Sequence, residues 1–443
     1  MVKVTLIFPN YVIREQFGEP SDPPIGIASI AAVLEAKGYD VSVIDANAEN
    51  LALDEICLRL AQIKPDIVGV SCNYSPLHNP TLQIAAMIKS ELGVPVIVGG
   101  NHATAMARHM LGCSRDIDFI VRGEGEVILP DLVEALQHGS RLSYVKGISY
   151  RDANSIVTTP DAPLISNLDK LPMPAYHLLP MDKYSRYNIM ASRGCPFSCS
   201  YCASNVIFKR KVRYRSPGSV VDEVRYLMQT YGNRHLWFSD DTFISNPKYT
   251  SALLDKLIES DLDITWSCLT RVDIVNKELL EKMKISKCSY ISYGIESGNQ
   301  EMLDKMGKGI TANEVLTTLR LTAEVGIRQY GFFLVGLPGE SWETIMDSYK
   351  LIYQSKLDGA AFNIVIPLPG TRLMNDLLEA DLVKLDDINW DYLFARTPQE
   401  TYESYPAELA ARWTKISGAE LVDACKIGHR FPQISRHILG NSR

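Results

Sequence analysis

Arg193-Gly194-Cys195-Pro196-Phe197-Ser198-Cys199-Ser200-Tyr201-Cys202 sets three thiols on one short loop. Thiolates are soft ligands that suit zinc or an iron–sulfur cluster. A closed structural zinc site takes four ligands at short, regular spacing. Here the fourth is missing, since the next histidine is His235 and the next cysteine Cys268. Three thiolates on a four-iron cluster leave one iron open to an outside ligand, an arrangement suited to chemistry. Gly194 and Pro196 suit a tight loop folded round such a centre. The residues alone leave a second reading open, a zinc knuckle or three unrelated core thiols, because free cysteine is often a small buried residue.

Downstream of this loop, β-rich runs alternate with helical ones. Strands are expected at residues 188–192, 235–239, 264–269, 290–295, 329–335 and 361–367, with helices at 220–229, 249–260, 277–284, 312–325 and 343–354. Six strands are too few for a closed eight-unit barrel and fit a partial one, whose chemistry sits at the carboxyl ends of the strands. Those ends carry Asp240 and Asp241, Arg271, Glu296, Gly336 and the turn Pro367-Leu368-Pro369-Gly370-Thr371. Each acidic residue alone reads equally well as a solvated strand end or a helix cap; their shared position makes them a set. The basic run Lys209, Arg210, Lys211, Arg213 and Arg215 is either an anion or electron-donor contact or a solvated face. After residue 385 the barrel pattern stops, and Trp390, Tyr392, Phe394, Tyr402, Tyr405 and Trp413 make residues 386–443 an aromatic, helical extension that closes over substrate or packs against the barrel.

Upstream, residues 1–140 show a five-fold strand–helix alternation, which predicts a doubly wound parallel sheet. Ligands of such sheets lie beyond the carboxyl ends of the strands, near the point where strand order reverses. The loops there are Pro23-Pro24-Ile25-Gly26, Ser71-Cys72-Asn73-Tyr74, Gly99-Gly100-Asn101-His102 and Arg122-Gly123-Glu124-Gly125-Glu126. Paired glycines let a bulky ligand approach the backbone, or simply make tight turns. Residues 141–186 read as a small hairpin followed by the Pro-rich stretch Leu171-Pro172-Met173-Pro174, a stiff extended connection. The fold class is therefore α/β, a Rossmann-like sheet followed by a partial (β/α)6 barrel at 187–385.

The whole chain of 443 residues, 46% hydrophobic, is long enough for two cores. A net charge of −7 disfavours a broad nucleic-acid footprint. No run of about 18 apolar residues is present to span a membrane, and Met1–Pro9 is too short for a signal sequence. Nine cysteines, an odd number with three in a ligand pattern, fit a reducing compartment, so the expectation is a cytoplasmic, oxygen-sensitive protein.

The CxxxCxxC spacing, with Tyr201 just before the last cysteine, resembles the signature of radical S-adenosylmethionine (SAM) enzymes. The N-terminal loops resemble the cobalamin-binding module of one large subfamily, the cobalamin-dependent radical SAM enzymes. The resemblance implies three cofactors: a 4Fe-4S cluster on Cys195, Cys199 and Cys202; SAM near Tyr201, Asp240, Asp241, Arg271, Glu296 and Gly336; and cobalamin near Pro24, Gly26, Ser71, Asn73, Gly99, Gly100, His102, Gly123 and Glu124. In it, an Asp240 or Asp241 carboxylate meets the SAM ammonium, Arg271 pairs with the SAM carboxylate or with Glu296, Glu296 accepts from ribose hydroxyls, and Gly336 lies in the segment that holds adenine through backbone atoms. One departure is clear: the DxHxxG motif of many cobalamin modules is absent, since Asp45 is followed by Ala46 and Asn47. His102 then either touches the corrin or caps its helix, and Cys72 is a neighbour of cobalt or a core residue. A methylthiotransferase, with a second cluster on Cys57, Cys72 and Cys113, is a rival that the helical setting of Cys57 and Cys113 disfavours.

The function this implies is methyl transfer to an unactivated carbon or a phosphinate phosphorus of a small molecule, with SAM cleaved reductively and cobalamin carrying the methyl group. A flavodoxin- or ferredoxin-type electron donor is expected. The alternatives are a cyclisation, ring contraction or oxidation without methyl transfer, and a non-catalytic corrinoid sensor or carrier.

Overall fold

The computed structural model describes residues 1–11, 22–393 and 404–440. The chain divides into two units, one of Met1–Ser185 with Val206–Lys209 and Trp390–Tyr392, the other of Arg186–Asn205, Arg210–Asn389 and Leu393–Arg443.

In the first unit, β1 (Lys3–Phe8), β2 (Asp40–Asp45), β3 (Ile67–Ser71), β4 (Val96–Gly99) and β5 (Phe119–Val121) alternate with α1 (Ile25–Ala36), α2 (Leu53–Ile63), α3 (His78–Glu91), α4 (Asn101–Cys113) and α5 (Gly125–His138). The strands are near-continuous apolar runs because helices cover both faces of a parallel sheet. In β1 Val4, Leu6 and Ile7 are all buried. The order is β2-β1-β3-β4-β5, all parallel, so the order reverses between β1 and β3. Leu6, Ala31, Leu34, Ile97, Leu132 and Ile148 belong to one core cluster.

The hairpin of β6 (Ile148–Asp152) and β7 (Ser155–Thr158) is not a separate linker element. It pairs antiparallel with β5 and extends the sheet to seven strands, giving the backbone of β5 a hydrogen-bonded neighbour on that side. The connection that holds the Pro-rich stretch also departs from a single extended run. Three 3-10 turns flank the stretch along the connection, at Leu168–Lys170, Tyr176–Leu178 and Met181–Lys183. It is fastened to α1 by Ala175 N donating to Ala28 O at 3.0 Å, with Tyr176 fully buried.

In the second unit, β8 (Tyr187–Ile189), β11 (His235–Phe238), β12 (Thr265–Thr270), β13 (Cys288–Glu296), β14 (Arg328–Val335) and β15 (Gly359–Ile364) form one parallel sheet in the order β15-β14-β13-β12-β11-β8. A two-stranded ribbon, β9 (Ser192–Arg193) with β10 (Arg213–Tyr214), brackets the three-cysteine loop. The helices are α6 (Pro217–Tyr231), α7 (Pro247–Glu259), α8 (Lys277–Ile285), α9 (Ala312–Val325), α10 (Trp342–Gln354) and α11 (Arg372–Glu379). Caps set their starts: Ser216 accepts from Ser219 N, Asn276 from Leu279 N, and Thr311 with Glu314 makes a capping box.

The tail forms α12 (Ser404–Ala410) and α13 (Gly418–Gly440). A Cβ on Gly428 of α13 would lie 2.2 Å from the Phe362 ring of β15, so glycine is what lets this helix lie on the sheet. Tyr349 Oη donates to Ala424 O at 2.7 Å. The tail aromatics are therefore divided: Trp413 packs in the second unit, Trp390 belongs to the first, and Phe394 and Tyr402 lie outside the described residues.

Candidate functional site

The three-cysteine loop is held from several sides. Asp240 accepts from Ser192 N at 2.6 Å, Ser192 Oγ at 2.5 Å and Ala191 N at 3.2 Å, pinning the approach to the loop. Asp241 accepts from Gly194 N at 2.9 Å and from Ser204 Oγ, so one carboxylate ties both ends of the loop together. The loop's middle is clamped by Ser200 N donating to Met306 O and Leu373 N donating to Ser200 O, both at 2.9 Å. Gly194 has φ +95°, a left-handed conformation that glycine adopts without a side-chain clash. Burial pushes the Asp240 carboxyl up to about 7 against its hydrogen bonds with Ser192, and it raises Asp241 as well. Asp240, one of the two carboxylates expected beside the SAM ammonium, is turned to the chain itself. Its carboxylate is committed to the backbone and hydroxyl that set the loop.

Cys195, Cys199 and Cys202 are free and partly buried. Burial pushes the Cys202 thiol up to about 12 and raises Cys195, so a bound metal's charge is what would draw off their protons. Among the described residues no three His, Cys, Asp or Glu side chains are grouped to hold a single metal ion. The donor set fits an iron–sulfur cluster, in which each thiolate takes a different iron, better than a mononuclear zinc knuckle.

Beside the loop stands a ring of charge. Arg271 is anchored by Asp273 through two 2.9 Å bonds, Nε to Oδ1 and Nη2 to Oδ2, and Nη2 also donates to Lys308 O at 2.6 Å. Its guanidinium lies over the Phe197 ring, 3.7 Å from the centroid, and Nη1 points to Cys199 Sγ at 3.9 Å. Glu296 pairs with Lys308 Nζ at 2.8 Å, and that ammonium is 3.4 Å from Tyr201 Oη. Burial raises the Tyr201 phenol, with Glu296 adding to the effect. Glu296 sits at φ +72°, where the β13–β14 register shifts. A Cβ on Gly294 would lie 2.8 Å from Glu296 Oε1 and 3.0 Å from Lys308 Nζ, so this glycine makes room for the pair. The expected Arg271–Glu296 pair is corrected: Asp273 takes Arg271, and Lys308 takes Glu296.

Gly336, at φ +87°, has both backbone groups engaged within the chain. Its N–H donates to Glu340, and its carbonyl accepts from Trp413 Nε1 at 2.7 Å. Gly336 therefore shapes the β14 turn and does not present free backbone groups. Burial pushes the Glu340 carboxyl up to about 7.

The basic run is largely spent on structure. Lys209 pairs with Asp161, Arg210 donates to Pro196 O, and Arg215 pairs with buried Glu223 and donates to Ser219 O.

In the first unit the loops named from sequence do gather at the carboxyl ends of the strands, but most close on one another. A Cβ on Gly100, at φ +115°, would lie 2.8 Å from the Asn73 backbone, so Gly100 is required by the approach of the β3 and β4 loops. Ser71 is in register with Gly99, and Asn73 Oδ1 accepts from Asn101 N at 3.1 Å. Gly123 N donates to Thr104 Oγ1, and Glu124 accepts from Ile165 N at 2.8 Å. Pro24 begins α1, its carbonyl accepting from Ile27 N, whereas Gly26 is exposed with open space where a Cβ would stand.

His102 neither caps its helix nor offers a free ring nitrogen. It is buried, with Nε2 against His78 Nδ1 at 2.9 Å and Nδ1 against Ser75 Oγ at 3.2 Å, and Trp390 lies against both rings. Burial pushes His78 down to about 4 and holds His102 well below an ordinary histidine. Both His102 ring nitrogens are thus engaged within the chain, in agreement with the absence of a DxHxxG motif. Cys72 is a buried core thiol pushed up to about 12, and it forms no group with half-buried Cys57 and exposed Cys113. At the reversal point itself Phe8, Tyr11 and Tyr74 form an aromatic wall, with successive ring centroids 6.3 Å apart.

The residues missed in sequence fall into two kinds. Lys308 and Asp273 had local signals, a Gly-Lys-Gly turn with Gly307 and Gly309 both at positive φ, and an Arg-x-Asp spacing. His78 and Tyr11 had none, because the partners that place them, His102 and Tyr74, are distant in sequence.

Comparison with known proteins agrees with this geometry. The family model of the B12 binding domain matches residues 21–133, and that of the radical SAM superfamily matches residues 189–352. An uncharacterized methyltransferase of Pyrococcus horikoshii is 33% identical over 398 residues, 88% of this chain and 86% of that protein. The anaerobic magnesium-protoporphyrin IX monomethyl ester cyclase of Rubrivivax gelatinosus is 32% identical, over 85% of this chain and 70% of the cyclase. The structure of the radical SAM methyltransferase TsrM from Kitasatospora setae, with cobalamin and a [4Fe-4S] cluster bound, superposes with TM-score 0.75 at 19% identity, covering 93% of this chain and 82% of that one. With a corrinoid-type sheet, a three-thiol loop at the mouth of a six-stranded parallel sheet, and both family models matched in one chain, this protein belongs to the cobalamin-dependent radical SAM enzymes.

Proposed function

We propose that this enzyme is a methyltransferase acting on an unactivated carbon, or a phosphinate phosphorus, of a small molecule. The observation that carries the reading is the match across nearly the whole chain to a relative named as a methyltransferase, with both cofactor domains present. When bound, the cluster supplies the electron for reductive SAM cleavage and cobalamin carries the methyl group. The chain's own part is to place these groups. Asp240 and Asp241 fix the ends of the cysteine loop, and the Met306–Lys308 segment fixes its middle. Glu296 and Lys308 offer paired polar groups at the end of β13, where a ribose or an amino-acid moiety is recognised by charge-assisted hydrogen bonds. The aromatic wall at the β1–β3 reversal offers an apolar face to a flat macrocycle. The electron donor belongs to the flavodoxin or ferredoxin class. Among the described residues no helix is long and apolar enough to cross a membrane.

The cyclase relative supports a second reading, radical chemistry without methyl transfer. The two separate by products. Enzyme reconstituted under argon with iron, sulfide and hydroxocobalamin is incubated with SAM and a low-potential reductant. A methyltransferase forms S-adenosylhomocysteine as well as 5′-deoxyadenosine; 5′-deoxyadenosine alone supports the second reading, and SAM bound but uncleaved supports a carrier.

A further inference from the structure

Arg271 of the second unit faces a cysteine of the loop and not solvent. Its side chain is only 6% exposed, and each of its three nitrogens has a partner. Asp273 grips it from one edge, the Lys308 carbonyl from another, and the Phe197 ring of the cysteine loop lies beneath it. The remaining nitrogen, Nη1, points to Cys199 Sγ at 3.9 Å. A donor held this firmly, with a planar fork that a lysine lacks, is preorganised toward one sulfur. Lys308 reinforces the placement: its carbonyl receives Arg271 while its ammonium is held by Glu296, so the segment cannot shift without breaking a buried ion pair.

We propose that Arg271 is a positioning residue that tunes the cluster's reduction potential through Cys199, with Asp273 as the opposing charge that sets how far. This rests on the assignment of a cluster to the three cysteines. One-electron reduction adds one negative charge to the cluster, and the electron comes from the low-potential donor. A cation and an N–H donor at a ligand sulfur stabilise the added charge and raise the potential, and hydrogen bonds to the sulfurs are an established lever on such centres. The carboxylate of Asp273, on the far edge of the guanidinium, works in the opposite sense. The potential therefore follows the balance of an oriented pair.

The test is a redox titration, under argon and followed by the electron paramagnetic resonance signal of the reduced cluster, on full-length reconstituted protein without SAM. Iron and sulfide per chain are measured on each sample. Arg271→Gln is expected to shift the midpoint to a lower potential, and Asp273→Asn, which leaves the cation uncompensated, to a higher one. Arg271→Lys keeps the charge without the fork and falls between wild type and Arg271→Gln. Opposite signs at the two members of one ion pair are not what loss of packing produces. Shifts of the same sign in Arg271→Gln and Asp273→Asn, or unmoved midpoints with full iron content, overturn the proposal. If Arg271→Gln does not retain iron, Asp273→Asn decides alone, an upward shift supporting the proposal and none overturning it. Wild-type protein that binds no cluster overturns both this inference and the assignment beneath it, and the iron content tells that failure apart.

Discussion

Replacing Lys308 with methionine isolates the Glu296–Lys308 pair. The two side chains are 10% and 6% exposed and meet at 2.8 Å. At an effective dielectric of about 20, opposite charges at that distance attract by about 6 kcal/mol. Moving both ions out of water costs several kcal/mol each, so the intact pair contributes little net stability. Removing one partner is different, because Glu296 then stays buried with its main counter-charge gone, at a cost of about 3–5 kcal/mol. In a unit of this size about 1 kcal/mol moves the unfolding midpoint by about 2–4 °C, so Lys308→Met lowers it by about 6–20 °C. The double variant Lys308→Met/Glu296→Leu removes the stranded charge and recovers most of that loss. The assay is calorimetric unfolding of wild type, both single variants and the double variant, compared as a cycle. Additivity within about 0.5 kcal/mol, or a loss below about 1 kcal/mol for Lys308→Met alone, refutes the reasoning that these groups form one buried unit.

Glu340, pushed up to about 7 by burial, binds a proton in the folded state that the unfolded chain has released above about 4.5. Stability therefore falls as pH rises through that window. Glu340→Gln removes its share of the fall, at most about 3 kcal/mol by pH 8, while Asp240, raised the same way, keeps the rest; the pH dependence of the melting midpoint in both proteins checks this. Asp241→Ala cuts both ties across the cysteine loop and is expected to lower retained iron to less than half at unchanged circular dichroism; full iron content would show that the loop holds itself. Gly26→Ala meets nothing within 4 Å and lies in the first turn of α1, so the apo-protein gains up to about 1 kcal/mol. If the open space above Gly26 receives the corrinoid, cobalamin per chain falls in the same variant, and unchanged cobalamin binding removes Gly26 from that site.

Period and punctuation made both sheets legible from the chain alone. Strand and helix runs are local patterns, and parallel strands buried on both faces show as near-continuous apolar stretches such as Val4–Ile7. The three-cysteine loop was legible for the same reason: its ligands share one short segment, so their convergence is a matter of spacing. The residues at the strand ends were legible as places, whereas their partners within the chain were not. Asp240, Arg271 and Gly336 each stand where the strand pattern puts them, but their partners Ser192, Asp273 with Lys308, and Trp413 depend on which loops the fold brings together.

The sequence by itself determined the order of elements, the thiol set, and the absence of a histidine motif for cobalt. The tertiary structure alone decided that the hairpin completes the first sheet, that His102 is closed off by His78 and Ser75, and that a guanidinium rests against Cys199. The physical reason is range. Hydrophobic periodicity and loop spacing are carried by neighbours in the chain, whereas the pairing of buried charges is settled by whichever group, near or far in sequence, fills the last hydrogen-bonding direction once the backbone is packed.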